Sequence, residues 1–452
     1  MLYWCQLNKR AEWNPALDYA IARADALGVP VLAYEGLRND YPHASARHHR
    51  FILDGVAELA GRLHERGMQH VFHLQQKDEP RRRVLLELAA EAALVVTDDY
   101  PAFIIPGQIA AAARRLDCPF YSVDGAGVAP MAAFPNREIG AYTLRPKLRR
   151  LLPGLLAAAG PGARAQRGSL ELAPPAGLWR GIDLPREAVE LDRLVAACGV
   201  DPSVAPAPGV RGGRAAGMAR LERFFARNLR RYADGRNQAA EDVTSNLSPY
   251  LHYGMISAVE IAKAALAATP DGEADGNVAA FVEELVVRRE LALNFCFHTH
   301  VAQQQSLEVL PPWARASLAQ HAADPRPQRY TLEMLERART GDPLWNAIQA
   351  ELRDTGEPHG YLRMLWGKKI IEWAPTYEEA LAWMVYLNDK YAYDGRDANS
   401  YASMLWCFGL HDRPFPRRPV FGVLRPMSSA STGKKAGASG YISRVRRDPP
   451  GL

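Results

Sequence analysis

Apolar residues along the first 150 positions fall into short unbroken runs, separated by longer stretches where they recur every three or four residues. The runs "MLYWC", "VPVLAYE", "HVFHL", "ALVVTD" and "CPFYSV" have the length and composition of buried strands. Between them, 15–27, 44–66, 79–92 and 107–116 carry a helical period. Such βαβα alternation predicts an α/β domain over 1–152, built on a doubly wound, mostly parallel sheet. The run "ALVVTD" ends at Asp98, on the carboxyl edge where open α/β sheets hold ligands. No G-x-G-x-x-G follows any of these runs, so the usual dinucleotide signature is missing.

The pattern then changes twice. From 153 to 217 the chain is rich in Ala, Gly and Pro, with one ordered-looking patch at "GLWRGIDLP", which predicts a long interdomain linker. From 218 to 427 the helical period runs almost throughout, in "AVEIAKAALAA", "VAAFVEELVVRRELALNF", "YTLEMLERA", "LWNAIQAEL", "YLRMLWGKKIIEW" and "YEEALAWMVYLNDKY". This predicts an all-α domain without internal repeats, followed by a basic tail over 428–452.

Composition narrows the class without fixing the function. At 452 residues, 48% hydrophobic and 23% charged, the chain has the make-up of a globular protein with two or three cores. No apolar run is long enough to span a membrane, and the first ten residues lack a secretory pattern. Cys5, Cys118, Cys198, Cys296 and Cys407 are scattered, with no C-x-x-C spacing. That favours a reducing cytosol over a disulfide framework or a zinc site. The net charge of +5 is uneven: from His411 onward nine Lys/Arg face two Asp, a local +7 on a body of −2. A cationic end suits a polyanion such as nucleic acid, and equally suits a solvated tail in an arginine-rich protein.

Four segments of the helical region concentrate chemistry. In "TSNLSPYLHYG", small polar residues precede a proline-started helix, an arrangement that binds phosphate or simply caps the helix. In "VVRRELALNF", Arg288, Arg289 and Glu290 interrupt an apolar helix and require partners or a cleft. In "YLNDKYAYDGRDANSYASMLW", Asn388, Asp394, Arg396, Asp397 and Asn399 crowd between two apolar helices. In "GYLRMLWGKKIIEW", Trp366 and Trp373 lie two helical turns apart, about 10.5 Å along one face. Core packing explains such a pair as well as redox chemistry does. Together the four segments predict a lined cavity.

These segments, with "EELVVRREL", "DPLWNAIQ", "HGYLRMLWGKKIIEW" and "HDRPFPRRPVFG", resemble the class II cyclobutane pyrimidine dimer photolyases of the photolyase/cryptochrome superfamily. The likeness is dense from Arg230 to Phe421 and looser over the N-terminal domain. It implies a U-shaped FAD in the helical domain. Tyr232, Thr244, Ser245, Asn246, Leu247 and Ser248 match the positions that hold its phosphates and ribityl chain. Arg363 matches the arginine beside the isoalloxazine ring, Asp394 its salt-bridge partner, Arg396 a neighbouring cofactor contact, and Asn388 the asparagine near flavin N5. Glu290 matches the carboxylate on the lesion bases, where a dry pocket would raise its pKa. Asn294, Phe415, Arg413, Arg417 and Arg418 fall at lesion and DNA positions. Trp345, Trp366 and Trp373 match a chain of electron-transfer tryptophans, with Trp366 next to the flavin.

The activity so implied is that of a deoxyribodipyrimidine photo-lyase, a carbon–carbon lyase acting on ultraviolet-damaged DNA. The enzyme would be a cytoplasmic monomer, with or without a deazaflavin or folate antenna. The sequence departs from the family at Phe415, where tryptophan is usual, at Leu365, where an aromatic is common, at "VVTDDYPAFIIP", and from Ser428 onward. A cryptochrome-like signalling protein would keep the flavin and tryptophans without repair. Repair of the (6-4) lesion requires a histidine pair that His252 and His359 do not match.

Overall fold

The computed structural model describes residues 1–168 and 174–447. The chain divides into two compact units, the first made of Met1–Ala133, Leu151–Leu221 and Leu247–Ala264, the second of Phe134–Arg150, Glu222–Asn246 and Ala265–Leu452.

The first unit is the expected doubly wound sheet. Strands β1 (Leu2–Cys5), β2 (Leu32–Leu37), β3 (Gln69–Leu74), β4 (Val95–Asp99), β5 (Phe120–Asp124) and β6 (Trp179–Arg180) lie in the order β5-β4-β1-β2-β3-β6. All neighbours are parallel except β6, which runs antiparallel along β3. The central strands are buried on both faces. Tyr3, Cys5 and Val96 pack with Ile21 and Leu63, while Leu2, Val71 and Val95 pack with Val84. The connecting helices are α1 (Pro15–Leu27), α2 (Ala46–Glu65), α3 (Val84–Ala89) and α4 (Ile105–Ala113). Helix α1 has the ends its sequence encodes: Asn14 accepts from the Leu17 N–H at 3.1 Å, Pro15 starts the first turn, and Gly28 closes it at φ 66°.

The order of strands reverses between β1 and β4, where Asp98 stands. Its carboxylate accepts the backbone N–H groups of Gln6, Leu7 and Asn8 at 3.0, 2.9 and 3.1 Å. It also accepts the Tyr3 hydroxyl at 3.0 Å and the Asn8 amide at 2.8 Å. At Asp98 the carboxyl edge is therefore filled by the protein's own β1 loop. A polar cleft of about 210 Å³ opens instead beyond the ends of β2 and β3, lined by Arg38, Asp40, Gln75, Lys77 and Arg81.

Much of the stretch expected as an interdomain linker belongs to this unit, with 169–173 outside the described residues. "GLWRGIDLP" supplies β6, and α5 (Ala188–Ala197) follows it. An edge strand of two residues has no periodicity to read. It exists because β3 offers unpaired N–H and C=O groups to Trp179 and Arg180.

The second unit is helical, as its period predicts. Its site-bearing elements are α6 (Gly276–Val282), α7 (Arg289–Phe297), α8 (Pro343–Thr355), α9 (Gly360–Trp373), α10 (Tyr377–Tyr391), α11 (Ala398–Cys407), α12 (Ser429–Ala436) and α13 (Ala438–Arg447). Two differences from the sequence pattern matter. The expected continuous helix over 278–295 contains a π-helical turn at Glu283–Arg288, immediately before Glu290. Its first two residues are held from elsewhere in the unit: Arg145 donates to both Glu283 oxygens at 2.9 and 2.7 Å, and Arg236 reaches Glu284 at 2.5 Å. Such turns mark functional segments more often than filler. The region expected as a basic tail is helical as α12 and α13, with Tyr441 fully buried; 448–452 lie outside the described residues.

Candidate active site

The Arg363 guanidinium donates to both oxygens of Asp394, at 2.8 and 3.0 Å, from the first turn of α9 to the loop after α10. That loop is shaped by buried polar contacts. Asp389 accepts the Arg396 backbone N–H at 2.9 Å, the Asn388 amide at 3.2 Å and the Tyr401 hydroxyl at 3.2 Å. Arg396 takes a left-handed φ of 64°, and Asp397 caps α11 through the Asn399 N–H at 2.8 Å. Asp397 and Asn399 thus organise backbone, while Asn388 is bonded to Asp389 and Arg363 to Asp394.

The three tryptophans form a connected set. Trp366 donates its indole N–H to Gln349 Oε1 at 2.8 Å, and Trp345 donates its own to the Trp366 carbonyl at 3.0 Å. Trp345 stands edge-on to Trp373, with centroids 5.3 Å apart and planes at 73°. Trp345 on α8 thus contacts both α9 residues, Trp366 through its carbonyl and Trp373 through its ring. Trp373 is itself buried, and the half-buried Tyr330 meets it edge-on at 5.0 Å. Sequence reasoning placed Tyr330 at the head of the periodic segment "YTLEMLERA" and gave it no role; the helix there spans only Leu332–Glu336, and Tyr330 lies in the loop before it.

The expected phosphate-binding run splits at the boundary between units. In the second unit, Asp242 and Asn246 both adopt positive φ, 46° and 52°, and Asn246 bonds Asp242 at 3.1 Å and Thr244 at 3.0 Å. Ser245 is half-buried between them. Leu247 and Ser248 belong to the first unit, where the helix Ser248–His252 is only five residues long. Its N-cap residue is Leu247, whose side chain makes no cap bond. Tyr232 is buried against Phe224 and Phe281 at 5.6 and 5.5 Å. Burial and the nearby Glu284 push its hydroxyl up to about 12 against the pull of Arg236, so it stays a neutral donor.

Glu290 is buried on α7, directly after the π turn. Asn294, one turn on, accepts the Glu138 N–H at 2.7 Å and donates to the Asn136 carbonyl at 3.1 Å, so its amide is engaged with backbone. On α11, Trp406 lies under the Arg288 guanidinium at 5.4 Å, and its indole N–H is buried without a partner. Its signal was present in the sequence as the last residue of the segment "YLNDKYAYDGRDANSYASMLW". Phe415 is half-buried, with Arg425 at 4.4 Å over its ring and Arg425 fixed by Asp412 through two 2.9 Å bonds. Arg413, Arg417 and Arg418 are exposed beside it.

Two further buried groups were not assigned from sequence. His359, just before α9, has both ring nitrogens buried without partners. Desolvation lowers its pKa to about 4; Asp242 opposes this, and Arg444 and Arg363 add to it. Glu351 on α8 accepts the His359 backbone N–H at 3.0 Å. No group of three or more His, Cys, Asp or Glu that could hold a metal occurs among the described residues.

Comparison with known proteins gives a consistent picture. Residues 1–163 match the family model described as DNA photolyase. The chain is 37% identical over 447 residues to a deoxyribodipyrimidine photo-lyase of Methanothermobacter thermautotrophicus, covering 99% of this chain and 94% of that one. It is 34% identical to the Arabidopsis thaliana protein of the same name, covering 99% and 88%. Among solved structures, a cryptochrome of Synechocystis superposes with a TM-score of 0.73 at 15% identity, over 100% of this chain and 89% of that one. An archaeal photolyase from Sulfolobus tokodaii, containing two FAD molecules, superposes with a TM-score of 0.68 at 16% identity, over 98% and 89%.

Proposed function

The chain belongs to the deoxyribodipyrimidine photo-lyase family, and on that premise we propose that it is a class II photolyase repairing cyclobutane pyrimidine dimers with FAD. Photorepair of DNA is the family's general reaction; the lesion, the class and the residue roles are the proposal. The observation that carries it is the Arg363–Asp394 pair at the start of the helix whose Trp366 begins the aromatic series.

The residues suit a flavin dinucleotide. Buried polar atoms nearly always have partners. Yet the His359 ring nitrogens, the Gln349 amide nitrogen beside Trp366 and the Trp406 indole N–H have none. A polar aromatic ligand with hydroxyls and phosphates would satisfy such atoms. Thr244, Ser245 and Asn246 would hold its phosphates and ribityl chain, with Tyr232 donating from a neutral hydroxyl. Arg363, oriented by Asp394, would counter charge on the ring, and Asn388 would bond its edge.

FAD held by these residues would supply, in its reduced and excited form, a reversible one-electron donor to the dimer. The protein's own residues bind, orient and exclude side reactions. Trp366, Trp345 and Trp373 pass electrons inward when the cofactor must be reduced by light. Glu290 hydrogen-bonds the lesion bases, and Trp406 and Phe415 offer ring faces against which unstacked bases can lie. The lesion must leave the duplex to be reached, and unpairing costs least at a damaged step. Arg413, Arg417 and Arg418 would meet phosphates, which makes binding salt-dependent.

For a second chromophore the first unit offers two clefts: one of about 210 Å³ beyond β2 and β3, below the roughly 300–1,000 Å³ of sites for drug-sized ligands, and one of about 470 Å³ lined by Asp54, Glu58, Arg62, Arg186 and Arg211, within that range. The test is an absorption spectrum of the purified protein, followed by blue-light repair of oligonucleotides carrying a thymine dimer or a (6-4) product. Flavin with dimer repair alone supports the proposal. Flavin photoreduction with neither lesion repaired would assign the protein to light signalling instead.

A further inference from the structure

Glu351 joins three parts of the second unit. Its Oε2 accepts the buried Tyr441 hydroxyl at 2.7 Å and the His359 backbone N–H at 3.0 Å. Its Oε1 accepts the Arg444 guanidinium at 2.9 Å. Tyr441 and Arg444 lie on α13, while His359 begins the helix that carries Arg363 and Trp366. The Arg363 Nε in turn donates to the Pro358 carbonyl at 3.4 Å. One carboxylate thus connects the C-terminal helix to the first turn of α9.

The same helical pair reaches the other flank of the proposed dinucleotide site. Arg444 donates to the Ala239 carbonyl at 3.4 Å, three residues before Asp242. Gly437 and Gly440 approach Ala240 so closely that an added Cβ would stand 3.3 and 3.1 Å from its own. On α12, Ser429 bonds Asp342, whose other oxygen caps α8 through the Leu344 and Trp345 N–H groups at 3.1 Å each. Lys435 lies 5.3 Å from the Tyr361 ring on α9.

We propose that Ser429–Arg447 is a clasp on the dinucleotide site, with Glu351 as its positioning residue, and that its main role is to retain the cofactor. The inference rests on reading that site as the FAD site. A carboxylate buried at 6% exposure needs all its donors. Without Tyr441 or Arg444 it loses its hold on the His359 N–H, and the first turn of α9 loosens with Arg363 on it. The loop entering Asp242–Asn246 loosens at the same time, because Arg444 and the closely packed glycines leave Ala239 and Ala240. Both flanks of the site thus depend on one pair of helices.

The test uses the full chain loaded with FAD and reads cofactor release as a rise in flavin fluorescence. Tyr441→Phe keeps the buried ring and removes only the hydroxyl, so it reads the clasp even where Glu351→Gln fails to fold. FAD should dissociate about tenfold faster from Tyr441→Phe, and faster still from Glu351→Gln. Leu63→Ala, in the core of the first unit, serves as a control that lowers thermal stability without touching the clasp. Parental release from Tyr441→Phe overturns the proposal, as does equal acceleration in the control. A parent chain that purifies without FAD overturns the cofactor reading itself, which is a separate and visible outcome.

Discussion

The indole N–H of Trp345 donates to the backbone carbonyl of Trp366 at 3.0 Å, fixing the Trp345 ring of α8 against the backbone of α9. That bond holds Trp345, and Trp373 then meets the Trp345 ring. Aromatic packing and electron relay need the same closeness, so substitution must separate them.

Trp366→Phe keeps most of the ring volume, and such swaps are tolerated best. The variant should bind FAD yet lose light-driven reduction of the cofactor by at least tenfold with an external reductant, because phenylalanine is far harder to oxidise. Protein reduced chemically beforehand should repair dimers near the parental yield. Normal photoreduction would return Trp366 to a packing role.

Arg363→Ala removes the partner of Asp394. The pair is partly exposed, so the penalty falls below the roughly 3–5 kcal/mol of a fully buried one. Flavin content of the purified variant should still drop about tenfold. Full flavin content in a well-folded variant would contradict the assignment.

Glu290→Ala should retain FAD and repair dimers poorly, by about tenfold in quantum yield, since Glu290 is assigned to the lesion. An unchanged yield would take it out of the mechanism.

Arg417→Ala with Arg418→Ala removes two exposed charges beside Phe415. Affinity for damaged duplex should fall for every sequence. The slope of log K against log salt should shrink by about 2, near 0.9 for each phosphate that an arginine neutralises. A slope equal to the parent's would mean that neither arginine meets a phosphate.

His359 gives a pH signature. Its folded pKa of about 4, set mainly by burial, lies below the ~6.5 of an unfolded histidine. Between those values the unfolded chain binds a proton that the folded chain does not. Stability is therefore intact above pH 6.5 and lost as pH falls toward 4, by up to about 3 kcal/mol from this residue. In FAD-free protein, His359→Asn should shrink the drop in urea midpoint between pH 7 and 5. His411, also lowered to about 4 by burial, contributes a slope that remains. An equal drop in variant and parent would remove His359 from the acid response.

How much of this was legible follows from the range of each interaction. The order of strands and helices in the first unit was readable, as with α1 and its caps at Asn14, Pro15 and Gly28. Apolar runs, periodicity and cap residues are local, so a window of the sequence contains the whole signal. The tryptophan pair on α9 was visible for the same reason. The Arg363–Asp394 pair came from family resemblance, because 31 residues separate the partners and no local pattern joins them.

Tertiary structure alone decided the rest. The edge strand at Trp179 exists because β3 had unpaired backbone groups, and the π turn before Glu290 is held by Arg145 and Arg236. The C-terminal segment read as a basic tail, since its sequence reveals charge and no partner. In the structure Arg444 and Tyr441 both bond Glu351, about 90 residues away. Local sequence sets which backbone conformations are cheap. Where a charge or an orphaned donor ends up depends on residues that only folding brings within hydrogen-bond reach.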